Sequence, residues 1–336
     1  MKPRRFTISV MRELILSILQ KEKHISGEVL GKRLNISRAA VWKHINELRH
    51  LGYQIESSPK TGYSFVKNTT LLLPEEISRG LRSSVMGKYI KYYREVSSTQ
   101  DIAASMANQG APEGTIIVAE MQHEGRGRMG RRWVSPFKEG IYLSLILRPK
   151  LLPSQLIQIP LIAGLALLKA IIHTLPLRPS IKWPNDILIG SKKVAGILTE
   201  MSSEIDGVNY IILGVGINVN TPVAVLSEQT MGIGTSLIGE YGKYTQRAGL
   251  LQAFLGEFEL IYRKYLSSGF GPLRKEWQAF DIVLGRRVRV NNGNRPIEGK
   301  AMGIDDDGFL LVKTDDNHIS RIINGDVSII DIPEKN

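Results

Sequence analysis

Residues 123–133 read HEGRGRMGRRW. Glycines 125, 127 and 130 have the G-x-G-x-x-G spacing that opens a dinucleotide-binding βαβ unit, so the fold turns on whether a helix follows. A strand-like run, Thr115-Ile116-Ile117-Val118-Ala119, does precede the loop. After it, Arg131-Arg132-Trp133-Val134-Ser135-Pro136 has no helical periodicity and Pro136 cuts it short. No helix N-terminus is therefore predicted for a pyrophosphate, and the dinucleotide reading fails. Arg126, Arg128, Arg131 and Arg132 repel one another and have little apolar company, while the glycines let the backbone wrap a small anion. The loop is expected to be disordered when empty and to close over a phosphate or carboxylate. A Gly/Arg RNA-binding tail is the competing reading, but such tails are repetitive and terminal, and this segment lies between two strands. A Walker loop is absent as well: six residues separate Gly80 from Gly87-Lys88, and Tyr89 follows the lysine.

Working outward, Ile141 to Leu147 and Tyr210 to Asn218 read as further strands. Ser154 to His173, with Pro160 near a kink or early turn, and Ala248 to Tyr265 read as helices. The mixture predicts α/β or α+β and leaves strand order open. Trp183-Pro184-Asn185-Asp186 has turn chemistry, and Lys193 to Glu200 is an apolar strand that begins with a cation. A hairpin joining them would set Asp186 beside Lys193, as a structural ion pair or as a catalytic one.

Before this region, Arg5 to Gln20 has helical spacing at Ile8, Met11, Leu14, Ile15 and Ile18. Ser26 is placed to cap a second helix with Val29, Leu30 and Leu34 inside, and Ser37 to cap a third. In the third, Val41, Ile45 and Leu48 form the core face, which leaves Arg38, Lys43, Asn46 and Arg49 outside; Trp42 is read as a packing residue. Two strand-like runs, 52–56 and 63–66, flank a loop with Lys60 at its tip. Three helices and a hairpin predict a winged helix-turn-helix, against the alternative of a small helical domain with a solvated basic surface. Arg38 and Asn46 could reach base edges and Lys60 a phosphate. Residues 1–70 hold 13 Lys or Arg and 5 Glu, so most of the chain's net charge of +12 lies there.

The 336 residues contain no cysteine, which excludes disulfides, thiolate metal sites and a cysteine nucleophile. Six scattered histidines make no metal-binding motif. Arg12 and Glu13 interrupt any signal-peptide core, and the apolar stretch near Leu161 to Ile172 contains Lys169 and falls short of the ~20 residues of a membrane span. A soluble cytoplasmic protein is expected. Toward the C-terminus, 287–290, 297–304, 309–312, 319–322 and 327–330 read as short strands of a small β-barrel, and Asp305 to Gly308 as a turn rather than a calcium loop.

Taken in order, Ser97-Ser98-Thr99-Gln100-Asp101, Gln122 with Gly125 to Trp133, Lys182-Trp183-Pro184-Asn185-Asp186, Lys193 to Glu200 and Gly214 to Asn220 resemble the bifunctional biotin-protein ligases that are also biotin operon repressors. The resemblance covers nearly the whole chain. It implies a winged helix-turn-helix over 1–67, a mixed-sheet ligase domain with helices over 73–272, and an SH3-like β-barrel over 281–336. It also implies an ATP-dependent reaction in which biotin and Mg-ATP give biotinyl-5′-AMP, whose acyl group passes to a lysine of a carrier domain of acetyl-CoA carboxylase or a related carboxylase. By motif, Ser98, Thr99, Gln100, Gln122, Arg126, Gly127, Arg128 and Lys193 would bind biotin. Arg126, Arg128, Arg131, Trp133 and Asn218 would serve the nucleotide, with Mg2+ held mainly by its phosphates. Lys193, Arg128 and Asp186 would be the catalytic groups. Ser37, Arg38, Lys43, Asn46 and Lys60 would bind operator DNA, as a ligand-promoted homodimer with no membrane association. Glu124 stands where a small neutral residue is expected and could pair with an arginine of the loop. A regulator that only senses a small molecule, and an acyl ligase using lipoate or octanoate, are the competing functions.

Overall fold

The computed structural model describes residues 8–330 apart from 205–206, 231–232 and 294. Contacts divide the chain into two compact units between Leu71 and Leu72.

The first unit runs α1 (Ile8–Lys21), α2 (Gly27–Leu34), α3 (Arg38–His50), β1 (Gln54–Ser58) and β2 (Gly62–Lys67), the two strands forming an antiparallel hairpin. Ser26 and Ser37 are N-caps, their hydroxyl oxygens accepting from the Val29 and Ala40 amides at 3.2 and 3.1 Å. Each cap satisfies one otherwise orphaned helix donor, a contribution of about 1 kcal/mol. Val41, Ile45 and Leu48 are buried, with Leu30 from α2 and Met11, Ile15, Leu16 and Leu19 from α1. The spacing misplaced three apolar side chains: Leu14, Val29 and Trp42 are exposed, Trp42 by 58%. Trp42 follows Val41 by one position, so it projects roughly 100° around the helix from the core stripe. Arg49, expected outside, is partly buried; its Nε donates to the Ile55 carbonyl at 2.9 Å and its Nη1 to Asn46 Oδ1 at 3.3 Å, tying α3 to the hairpin. The start of the first predicted helix, residues 5–7, lies outside the described residues.

The second unit continues with α4 (Pro74–Arg79), β3 (Tyr89–Tyr93), α5 (Thr99–Asn108), β4 (Thr115–Ala119), β5 (Gly140–Leu147), α6 (Gln158–Thr174), β6 (Pro179–Lys182), β7 (Asp186–Ile189), β8 (Lys192–Glu204) and β9 (Gly207–Asn218). These seven strands make one sheet of order β3-β4-β5-β9-β8-β7-β6, in which only the β3–β4 ladder is parallel. After it come α7 (Val223–Thr230), α8 (Leu237–Tyr241), α9 (Arg247–Ser268) and α10 (Gly271–Gln278). The chain ends in β10 (Arg287–Asn291), β11 (Ile297–Ile304), β12 (Leu310–Lys313), β13 (Ile319–Ile322) and β14 (Asp326–Ile329), an antiparallel sheet of order β13-β12-β11-β10-β14. Among the described residues no ladder joins β13 to β14, so the pairing is that of a five-stranded sheet. Its apolar residues Val288, Val312 and Val327 belong to the same core cluster as the large sheet.

The alternation of β9 divides that sheet's two faces. Ile211, Leu213, Val215 and Ile217 point into the large core with α6 and α9, whereas Tyr210 and Ile212 pack with Ala103 and Ala107 of α5 on the other side. Helix α6 is apolar all round because it is enclosed. The stretch Ser154–Thr174 is long and apolar enough to cross a membrane, longer than the Leu161 to Ile172 run judged too short in the sequence, yet 72% of its apolar window is buried within the fold. Lys169, its one cation, pairs with Glu276.

Two buried carboxylates fix the frame of the sheet. Glu120, directly after β4, pairs with Arg247 of α9 at 2.7 Å, both side chains fully buried, and accepts from the Leu72 amide at 2.6 Å. Arg247 also donates to the Gly140 carbonyl at 2.8 Å, so the root of the 123–133 loop is anchored on both sides. Glu259 of α9 accepts from the backbone amides of Ser84, Val85 and Met86 at 2.9 to 3.1 Å. Burial alone would raise its pKa; the amides of Met86, Val85 and Ser84 and the Ser84 hydroxyl overcome this and hold it at about 2. A depressed carboxylate stabilises the fold above its ordinary value of 4.5, and that contribution is lost as pH falls toward about 2. Glu259→Gln should therefore cost about 3 kcal/mol near neutrality, since its amide group would meet amides. Urea unfolding should show this difference above pH 4.5 and its shrinkage below.

Candidate active site

On the α5 side of the sheet, the residues after Ile212 at alternate positions of β9 are Gly214 and Gly216, and Gly196 lies beside Gly216 on β8. Side chains vanish there and a cavity of about 700 Å³ opens, within the ordinary range for a small-molecule site. The glycines are required by what lies on them. A Cβ at Gly214 would sit 2.7 Å from Gln100 Oε1, and one at Gly216 would sit 2.5 Å from the Trp133 ring.

One wall of the cavity is a continuous polar ladder. Ser98 caps α5, its Oγ accepting from the Gln100 amide at 3.3 Å. Gln122 donates to Ser135 Oγ at 3.1 Å, and its Oε1 accepts from both the amide and hydroxyl of Thr99 at 2.9 and 3.0 Å. Ser144 Oγ lies 2.8 Å from Thr99 Oγ1 and from Gln100 Oε1. Gln100 Nε2 then donates to Glu200 at 3.1 Å. The four residues Ser98, Thr99, Gln100 and Gln122 are thus brought together. Ser144 was overlooked, although a lone serine within the apolar strand Ile141 to Leu147 was its signal.

The loop of residues 125–133 is a short hairpin closed by Trp133 N–H to Gly125 O and Gly127 N–H to Arg131 O, both 2.7 Å. Mutual repulsion does not describe its arginines, because the fold supplies them with partners. Arg126 makes a bidentate pair with Asp101, at 2.7 and 3.0 Å, and lies 3.6 Å from Glu200; the Asp101 hydrogen bond raises its pKa. Arg131 pairs with Asp326 at the start of β14. Arg128 instead meets a neutral partner, donating to Asn185 Oδ1 at 3.0 Å, while Asn185 Nδ2 donates to the Ile197 carbonyl at 2.7 Å. Burial pushes the Arg128 guanidinium below its ordinary pKa, with Asp326 and Asp186 opposing. Arg132 forms no ion pair among the described residues and lines the cavity. Glu124 is exposed; its amide donates to the Ser97 carbonyl at 2.9 Å and its carboxylate, among the described residues, pairs with no arginine.

At the mouth, Lys193 Nζ lies 2.6 Å from Asp186 Oδ1, an ion pair rather than a directed hydrogen bond, and 5.5 Å from the centre of the Trp133 ring. Lys182 approaches the same carboxylate at 3.9 Å. The turn that sets Asp186 here, with its cis Trp183–Pro184 peptide, is seated by Trp183 Nε1 donating to the Gly308 carbonyl at 3.0 Å. Asp305 to Gly308 is indeed a turn, closed by the Gly308 amide on the Asp305 carbonyl at 3.1 Å. Asn218 lines the cavity but is 4% exposed, with Nδ2 donating to the Thr235 carbonyl at 3.0 Å. Asp101 and Asn185 stand within the quoted motifs without an assigned role, and Asp326 within none; their partners lie too far along the chain for spacing to reveal.

The mixed sheet with its polar ladder, glycine floor and Gly-Arg hairpin has the character of a biotin/lipoate-type protein ligase. The chain belongs to the biotin/lipoate A/B protein ligase family, whose model matches residues 92–218, flanked by an HTH domain over 12–64 and a biotin protein ligase C-terminal domain over 283–329. Along nearly its full length it is similar to the bifunctional ligase/repressor BirA of Bacillus subtilis, 40% identical over 323 residues that cover 96% of this chain and 99% of that one. The BirA protein of Escherichia coli is 29% identical over 315 residues, covering 94% and 96%. Among solved structures, the biotin protein ligase from Aquifex aeolicus in complex with biotin and ATP is 30% identical with a TM-score of 0.63, covering 73% of this chain and 100% of that one.

Proposed function

We propose that this chain is an ATP-dependent biotin-protein ligase that also represses biotin genes. The observation that carries the reading is a single cavity with a neutral hydrogen-bonding wall at Ser98, Thr99, Gln100 and Gln122 and a cationic mouth at Arg128 and Lys193. In the first step, the biotin carboxylate attacks the α-phosphorus of ATP and pyrophosphate leaves, giving biotinyl-5′-AMP. Mg2+ enters with the ATP phosphates as part of that substrate. In the second, the ε-amine of a carrier lysine attacks the acyl carbon, AMP leaves, and Asp186 orients the amine or takes its proton. Lys193 and Arg128 stabilise charge that grows on the phosphate, and the lid excludes water from an acyl adenylate. The carrier belongs to acetyl-CoA carboxylase or a related carboxylase.

A neutral polar wall suits a ureido head group, whereas a dithiolane or alkyl chain would leave its hydrogen-bonding groups unanswered. That argues for biotin over lipoate or octanoate. Purified protein should label a carrier lysine only with both biotin and ATP, releasing AMP and pyrophosphate; unlabelled lipoate should not compete. Absence of labelling sinks the reading.

For repression, residues 1–67 form the DNA-binding region, 73–272 the catalytic region and 281–336 the C-terminal region, where the bulge in β11 between Ala301 and Gly303 would let the sheet curl toward an SH3-like barrel. The expected disorder of the empty lid gives way to a closed hairpin held by backbone hydrogen bonds; biotinyl-5′-AMP bound beneath it promotes homodimerisation and places two α3 helices on a palindromic operator. DNA and ATP as ligands imply a cytoplasmic location. Ser37, Arg38, Lys43 and Lys60 are each exposed, while Asn46 is partly buried and accepts from Arg49. Arg38→Ala should cost about 1–3 kcal/mol and relax one base position. By contrast, Lys60→Ala should weaken all sequences alike and reduce the salt slope by about 1, read by titrating operator and random DNA at several salt concentrations.

A further inference from the structure

We propose that Asp101 and Asp326 form a two-point latch that holds the Gly-Arg lid shut and sets how long the acyl adenylate stays enclosed; this rests on the ligase reading. The lid is a hairpin whose arms are joined by the backbone hydrogen bonds that pair Arg126 with Arg132 as an antiparallel β-bridge, so the arms move together. One arm is gripped through Arg126 by Asp101, on the first turn of α5. The other is gripped through Arg131 by Asp326, from the C-terminal sheet. Between the grips Arg128 turns to the cavity with only the neutral Asn185 as partner and, among the described residues, no carboxylate at hydrogen-bonding distance, so its charge can meet a substrate anion. The Asp101 grip also reaches the binding wall, because Glu200 lies beside Arg126 and accepts from Gln100.

Both carboxylates act through arginines, which makes them positioning residues. Exposed ion pairs are individually weak, and weakness is what a lid that must reopen requires. Each grip lost should speed escape about two- to fivefold, the range of exposed pairs, and both together roughly tenfold because a hairpin must free both arms to open. Escape from the intact protein should quicken with ionic strength, since screening weakens exposed pairs.

The test uses the full chain and three variants: Asp101→Asn, Asp326→Asn and the double substitution. Two rates are read: release of labelled biotinyl-5′-AMP into excess unlabelled biotin, and tryptic cleavage at the loop arginines in protein without ligand. The latch predicts that both rates rise in each variant, that the double variant loses most of the salt dependence of release, and that Asp101→Glu restores part of the protection. Wild-type cleavage and release in Asp101→Asn and the double variant would overturn it. If wild type forms no adenylate, the ligase reading fails instead, and the cleavage rates still decide the latch. Asp101 lies on an exposed helix turn, so its single variant decides the matter should Asp326→Asn disturb β14.

Discussion

Lys193→Met should slow pyrophosphate release from biotin and ATP by about a hundred- to a thousandfold, the loss typical of removing one preorganised charge stabiliser. Two anions must come together at the mouth of the cavity, a carboxylate and a triphosphate. The Lys193 ammonium sits there beside Asp186 and the face of Trp133, with its side chain close enough to Gly196 that a Cβ would lie 3.0 Å from Cε. Methionine keeps the stem and removes the charge. Asp186→Asn is the control: it removes the partner and leaves the ammonium, so the first step should survive better than the transfer step. Single-turnover measurement of both steps separates the two roles. A Lys193→Met enzyme with wild-type pyrophosphate release would show that the lysine serves only the ion pair.

Arg128→Met should produce a loss of similar size, about a hundredfold or more in kcat/KM for ATP. Its guanidinium is partly desolvated against Asn185, and the nearest carboxylates act on it only at longer range. A cation held this way gains most when an anion arrives, because the free protein has not already neutralised it. Arg126 and Arg131 are each bound to a carboxylate, so their replacement should fall mainly on lid opening. Comparing Arg128→Met with Arg131→Met in one ATP titration checks this ordering. Equal losses would mean that Arg131 leaves Asp326 to bind the nucleotide.

Much of the frame was legible. Serine caps at 26 and 37, the Val41-Ile45-Leu48 stripe and the strands at 115–119, 141–147 and 210–218, the last two extended by one and three residues in the structure, follow from local preferences and periodicity. The neighbouring Asp186 and Lys193 also followed from the hairpin, although Asp186 stands opposite Gly196 and Lys193 opposite Leu188, so the long lysine side chain reaches the carboxylate across the ladder. Trp42 misled because an aromatic side chain looks apolar in composition, whereas helix geometry alone decides which way it points.

The sequence by itself determined the helix-turn-helix, the strand at Tyr210 to Asn218, and the rejection of a dinucleotide fold, which needs a helix that Pro136 prevents. It did not determine which arginines of HEGRGRMGRRW are tied to carboxylates and which, Arg128 and Arg132, face the cavity without one among the described residues. That was decided by Asp101 and Asp326, 25 and 195 positions away from their partners. Periodicity and turn chemistry act over a few residues, while a charge is neutralised by whatever the folded chain brings within a few ångströms, so this choice belongs to the tertiary structure.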